Sequence, residues 1–328
     1  MMLTLVCVFS LTACATEDGG NGGKTGLIIS KNKNGTFVVR DFVYAEGVLT
    51  DGTLDIGAVL EARGIASAKI SAGAFDGDDK IKTLIVSDKV VEIEQGAFRN
   101  MKSLVTLEVP FVGKNAKTDA IEDQTLESVG KAVNKARTFS HFFGTAEYAE
   151  GRVMNNGYGD VYVPYTLRNV IVKATANVKY EALDKVGYAI GYSAFKNATV
   201  LESIKLEGEN LKEIGVEAFS GCTGLKKITL PSSVKTVYES AFNGCVKLTD
   251  VMVEATNVVL QKSVFNGCTS MKKVNSQVDL TVNLACFATI GDNAFDFGRE
   301  VEFSIRNRDE LNDTALAKIF GDTKFKVV

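Results

Sequence analysis

The sequence predicts a β-rich solenoid, a parallel strand ladder wound from repeats of about 23 residues with a cap at each end. Three observations carry this reading. Stretches GCTGLKKITLP at 221–231, GCVKLTDVMVE at 244–254 and GCTSMKKVNSQ at 267–277 superimpose at a period of 23 residues, and NMKSLVTLEVP at 100–110 is an earlier copy. A hydrophobe that opens each strand recurs at Ile81, Leu104, Leu167, Leu201, Leu225, Leu248 and Met271, with spacings of 23, 63, 34, 24, 23 and 23 residues, so two intervals carry insertions. A small residue followed by Phe recurs at Phe75, Phe98, Phe195, Phe219, Phe242, Phe265 and Phe295, with Phe287 as a degenerate copy. No copy buries its apolar face alone. Stacked copies place Leu on Leu, Ile on Ile and Phe on Phe along one axis.

The elements follow in chain order. Residues 2–13, MLTLVCVFSLTA, form an uncharged apolar run of signal-peptide length, too short to span a membrane as a helix. Its end, Leu11-Thr12-Ala13-Cys14, resembles a bacterial lipobox, which implies removal of residues 1–13 and lipidation of Cys14. Residues 14–26 then read as the lipidated cysteine and a flexible tether. Residues 27–64 hold strand-like runs LIIS and TFVVRDFVY and a helical IGAVLEAR, and form the expected N-terminal cap. From 65 to 300 each copy reads as a strand L-x-x-I-x-L, a turn, a V-x-x-I segment such as Val90 with Ile93 or Leu211 with Ile214, and a corner carrying Ala-Phe. An insertion at 111–166 opens with an expected helix, TDAIEDQTLESVGKAVNKA, whose Ile121, Leu126, Val129 and Val133 share a face, and continues into an aromatic stretch. Residues 301–328 read as a strand-helix-strand cap, the helix opening at Asn307 or Asp309.

Through the layout EIGVEAFSGCTGLKKITLP at 213–231, the chain resembles the BspA-like leucine-rich repeat family over residues 65–300. The resemblance implies a leucine-rich repeat solenoid and a place among exported or surface-attached proteins that act in adhesion and protein recognition. Departures are Val264 in place of the corner alanine, Asp78, Met101 and Ala198 in place of the corner cysteine, and an irregular copy at 278–295.

Composition narrows the functions. Hydrophobic residues make up 45% and charged residues 23% of the 328, enough to bury a core. Lys plus Arg number 37 against 40 for Asp plus Glu, so no basic excess recommends nucleic acid as a partner. The single histidine, His141, removes every multi-histidine metal site. Beside Ser140 it suggests a nucleophile and base, but adjacent strand residues face opposite ways, no GxSxG elbow precedes it, and its aromatic neighbours mark a packing corner. The acidic run FDGDDK at 75–80 lacks the loop and terminal Glu of a calcium-binding hand and reads as a solvated turn. Cys222, Cys245 and Cys268 form a ladder with Phe75, Phe98, Phe195, Phe219, Phe242 and Phe265; equivalent positions aimed into one core favour buried thiols over disulfides. No catalytic residue, metal or cofactor is expected.

The candidate binding face is the outward row of strand positions three and five: Thr106, Glu108, Asn169, Ser203, Lys205, Lys227, Thr229, Asp250, Met252, Lys273 and Asn275. Its mixed signs suit an extracellular protein, from a host or a bacterium, or a glycan, of modest polarity rather than a polyanion. The expected protein is therefore a noncatalytic monomer at the cell surface, touching the membrane through its lipid anchor only, for recognition or adhesion. The alternative is a glycan-binding lipoprotein serving nutrient uptake.

Overall fold

The computed structural model describes residues 26–115, 138–157, 159–174, 188–277, 279, 281–298, 302–306 and 311–328. The expected signal segment, Cys14, most of the expected tether and the expected helix with Ile121, Leu126, Val129 and Val133 lie outside the described residues.

Eleven strands among the described residues form one sheet whose spatial order is the chain order, from Thr53–Asp55 through Lys227–Leu230 to Phe325–Val327. Every pairing in it is parallel. Equivalent positions stand opposite one another: Lys227 faces Asp250, and Asp250 faces Lys273. The period-two alternation of a strand explains the pattern, since Ile228 and Leu230 are buried while Lys227 and Thr229 are exposed. The opening hydrophobes sit two residues before their strands, and all seven are completely buried.

The V-x-x-I segments form short strands on the other side of the core. Ala68–Ile70 and Val90–Ile93 continue in parallel from an antiparallel hairpin of Gly26–Lys31 and Phe37–Val43. A second series runs from Tyr188–Ile190 through Leu211–Ile214, Thr236–Val237 and Val258–Leu260 to Phe287–Ile290. Phe287 is thus a strand residue rather than a degenerate corner. Its ring leans on Phe295 at 5.8 Å, and Phe295 itself stacks on Phe265 at 5.9 Å with planes 4° apart.

At the corners the phenylalanines form a column. Rings of Phe195, Phe219, Phe242 and Phe265 follow one another at 5.1, 5.0 and 5.4 Å with interplanar angles of 12°, 6° and 14°, within the range aromatic pairs prefer. Backbone bonds run parallel to the column: Phe195 N–H donates to Ala218 O, Phe219 to Ala241 O and Phe242 to Val264 O. The Ala-to-Val departure at 264 keeps this bond, because the carbonyl and not the side chain makes it. The thiols of Cys222, Cys245 and Cys268 are buried and unpaired by disulfides, and each donates to the carbonyl of the Phe in the preceding copy at 3.1, 3.1 and 3.2 Å. Gly221 has φ 71°, and a β-carbon there would lie 2.1 Å from Asn197 Oδ1, so a side chain is excluded by both conformation and space.

The insertion does not interrupt the ladder. Strands Thr106–Val109 and Asn169–Val172 pair directly, Thr106 opposite Asn169. At the corners the missing Phe is supplied by a single 3₁₀ turn, Phe139–Phe142. Phe142 lies 5.5 Å from Phe98, and Phe139 lies 4.9 Å from Phe195. Phe98 N–H donates to Phe142 O, and Phe139 N–H to Ala194 O, so the turn mimics a corner toward both neighbours.

Two short helices flank the array. Helix α1, Ile56–Ala62, is capped by Asp55, whose Oδ1 accepts from Ala58 N–H at 3.0 Å. Helix α2, Asp313–Phe320, begins after Asn312, whose Oδ1 accepts from Ala315 N–H at 2.9 Å; Asn307 and Asp309, the expected openings, lie outside the described residues. It buries Leu316, Ile319 and Phe320, places Phe320 5.4 Å from Phe295, and Ile319 O accepts from Phe295 N–H. The helix thereby takes the position of one more corner.

Burying one such ring contributes roughly 1.5–3 kcal/mol, and truncation leaves a cavity as well. Phe219→Ala should therefore lower unfolding free energy by about 3–5 kcal/mol in chemical denaturation.

Candidate interaction surface

The side chains that leave the eleven-stranded sheet outward come from alternate residues of consecutive strands, so they form rows along the solenoid at about 4.8 Å per step. Ser203, Lys205, Lys227 and Thr229 are exposed, whereas Thr106, Glu108, Asn169, Asp250, Met252 and Lys273 are half-covered by their neighbours. Asn275 does not belong to the row. Its strand ends at Val274, and its φ of 48° turns the amide to donate to Cys286 Sγ at 3.3 Å.

Within the face the charges pair between strands. Asp250 lies 3.7 Å from Lys227 and 3.3 Å from Lys273, and it accepts from the Thr249 hydroxyl at 2.7 Å. Burial raises the Asp250 carboxyl, but the Thr249 hydrogen bond and the two ammonium groups outweigh it and hold the group below its ordinary range. A second network joins Lys173 to Glu207 at 2.7 Å and to Glu108 at 3.5 Å, with Lys205 also on Glu207. Hydrogen bonds from Lys173 and Lys205 lower the Glu207 carboxyl, and the Glu207 contact raises Lys173. Asn169 Nδ2 donates to Thr106 Oγ1 at 3.3 Å. Reasoning from alternation missed Lys173 and Glu207, which lie past the fifth position. Their equivalent places in successive copies, at strand exits, were the available signal.

The other candidates resolve into packing. His141 lies in the 3₁₀ turn and not in a strand, buried, its Nε2–H donating to Ile93 O at 3.0 Å. Burial lowers its pKa. Ser140 is held elsewhere: its hydroxyl bonds that of Thr138 at 2.7 Å and accepts from Asn156 Nδ2 at 2.9 Å. In the acidic run, Asp78 Oδ1 accepts from Lys80 and Ile81 N–H groups at 3.0 and 2.7 Å, and Asp76 pairs with Arg99, so these carboxylates organise a turn. No group of three metal-ligating side chains occurs among the described residues. From the insertion, Phe139, Phe142, Phe143, Met154 and Val163 are buried, while a hairpin of Gly151–Asn155 and Asp160–Pro164 leaves Val153 exposed and is followed by exposed Tyr165. Arg168 lies over the Tyr165 ring at 5.1 Å.

A column of corner phenylalanines, an all-parallel ladder and strand-opening leucines define a leucine-rich repeat solenoid. The chain matches the family described as the BspA type leucine rich repeat region, in six copies over residues 68–145 and 188–313, and it belongs to that family. Solved structures with a similar fold include a leucine rich repeat protein of T. pallidum, at 15% identity and a TM-score of 0.37 over 92% of this chain and 97% of that one. A leucine-rich repeat protein from Bacteroides ovatus is 17% identical with a TM-score of 0.33 over 94% and 77% of the two chains. A leucine rich cell surface protein from Faecalibacterium prausnitzii is 12% identical with a TM-score of 0.33 over 95% and 96%. No curated protein sequence matches the chain.

The lowered His141 pKa has a thermodynamic sign. The unfolded chain binds a proton as pH falls through 6.5 while the folded chain resists it, so stability is held above that pH and lost below it. Between about pH 7.5 and 5.5 the native protein should lose more stability than His141→Gln does. Superimposable denaturation profiles for the two would contradict the assignment.

Proposed function

We propose that the protein is a noncatalytic recognition module displayed outside the cell, held by lipid on Cys14 through the 14–26 tether, that reads an extracellular protein with its strand face. One observation supports this most directly: the rows of outward side chains are braced before any partner arrives. Lys227 and Lys205 keep 74% and 66% of their side chains exposed while a carboxylate pairs with each ammonium group. Binding then orders fewer flexible groups, which is the cost that usually erodes affinity. A monomer suffices for this role. Tyr165 is exposed beside Arg168, and Tyr and Arg are among the residues most enriched where binding energy concentrates.

The test is a pull-down of extracellular-matrix proteins and mucins by the purified chain, repeated with Lys227, Asp250 and Lys273 changed to alanine. Exposed ion pairs contribute about 0–1 kcal/mol each, so thermal stability should barely change, while capture of the partner drops by about tenfold. Equal loss of both, or unchanged capture, would reject this surface.

A further inference from the structure

The residue immediately after each strand-opening hydrophobe forms a row of its own, beside the face described above. Amide-to-carbonyl bonds of 2.8–3.2 Å run unbroken along it from Lys82 to Lys272, one residue per copy across the insertion. Every second member is a cation: Lys82, Arg168, Lys226 and Lys272. Steps of about 4.8 Å separate these charges by roughly 10 Å and spread them over about 30 Å. Lys82, Lys226 and Lys272 are exposed, as are the flanking Lys227 and Lys247. Glu202 is the one carboxylate in the row, and it is taken by Arg168 at 3.4 Å and by Lys226. Lys82, Lys247 and Lys272 have no carboxylate within ion-pair distance among the described residues. A chain with net charge −3 thus concentrates positive charge along one line.

We propose that this line binds a linear anionic polysaccharide, one carrying carboxylate or sulfate groups at intervals along the chain. Three features favour that occupant over other polyanions. A nucleic-acid strand carries a charge about every 3.4 Å, far denser than this row. An extended acidic peptide repeats its same-face side chains about every 6.8 Å, out of step with a 10 Å period. Tyr165, 56% exposed at the edge of the row beside Arg168, offers a flat apolar plate with a polar rim, suited to the apolar face of a sugar ring. The row adjoins the Lys227–Asp250–Lys273 network, with Thr249 of the row bonded to Asp250, so the two surfaces are told apart by different probes, polysaccharides for the row and proteins for the strand face.

The experiment measures binding of the full-length chain to alginate, chondroitin sulfate and heparin, with neutral dextran, poly-glutamate and single-stranded DNA alongside. The expected result is binding to the acidic polysaccharides that weakens as salt rises, absent for dextran. Changing Lys82, Lys226 and Lys272 together to Glu should weaken it by about tenfold or more. The same reversal at exposed Lys33, Lys235 and Lys318 should leave it unchanged. Circular dichroism and melting of both triple variants establish that they fold. Failure of the native chain to bind any acidic polysaccharide overturns the inference, and so does equal loss in the control variant. Equal or tighter binding of poly-glutamate or DNA at the same salt overturns the polysaccharide as occupant. None of these outcomes touches the protein pull-down, which alone judges the strand face.

Discussion

The contact on which everything else rests is one benzene ring lying on the ring of the next copy. Parallel strands stand about 4.8 Å apart, and rings at the corners stand 5.0–5.4 Å apart where the repeat is most regular. The two spacings are compatible, so a single Phe per turn fills the corner without adjusting the backbone. The backbone bonds and thiol bonds at the same corner then act in the same direction, each from one copy to its neighbour. Because no copy touches more than its neighbours, the array behaves as a line of coupled units, and its ends require different treatment from its middle. Helix α2 meets that requirement by presenting Phe320 to Phe295 in place of another corner.

Much of this was legible because period in sequence equals step in space. Leu225, Leu248 and Met271 repeat every 23 residues, and the sheet brings their copies side by side in register. Two corners fall outside the period, the first of them marked in the sequence only by the aromatic cluster around His141. The 3₁₀ turn at 139–142 carries its rings three residues apart, one for each neighbour, after an irregular interval that hides it from any search for a fixed period. The terminal corner was readable in principle, since Ile319-Phe320 matches the Val264-Phe265 variant of the motif, but its helical conformation disguises it. Phe287 failed in the opposite sense: it imitates the motif in sequence, yet its backbone runs as a strand.

The candidate surface was legible only in part, for a geometric reason. Alternation tells which side chains face out but not which of them meet. Lys173 reaches both Glu108 and Glu207 because it sits at a strand exit between two copies that are 99 residues apart in numbering yet adjacent to its own. Leu104 and Leu167 mark the copies on either side of the excursion at 111–166 as neighbours, but which exit side chains meet is seen only once Thr106–Val109 and Asn169–Val172 pair. The same applies to the row of cations: its members are ordinary lysines and an arginine until the backbone bonds line them up.

That direct pairing of Thr106–Val109 with Asn169–Val172 has a wider implication. The ladder closes over the excursion, so the strand pairing sets no limit on the spliced length, while the Phe139–Phe142 turn carries the corner contacts on its behalf. Such a junction is an evolutionary grafting port. What emerges there beyond the Phe139–Phe142 turn can change without disturbing the strand pairing of the repeats, provided that turn keeps its rings on Phe98 and Phe195.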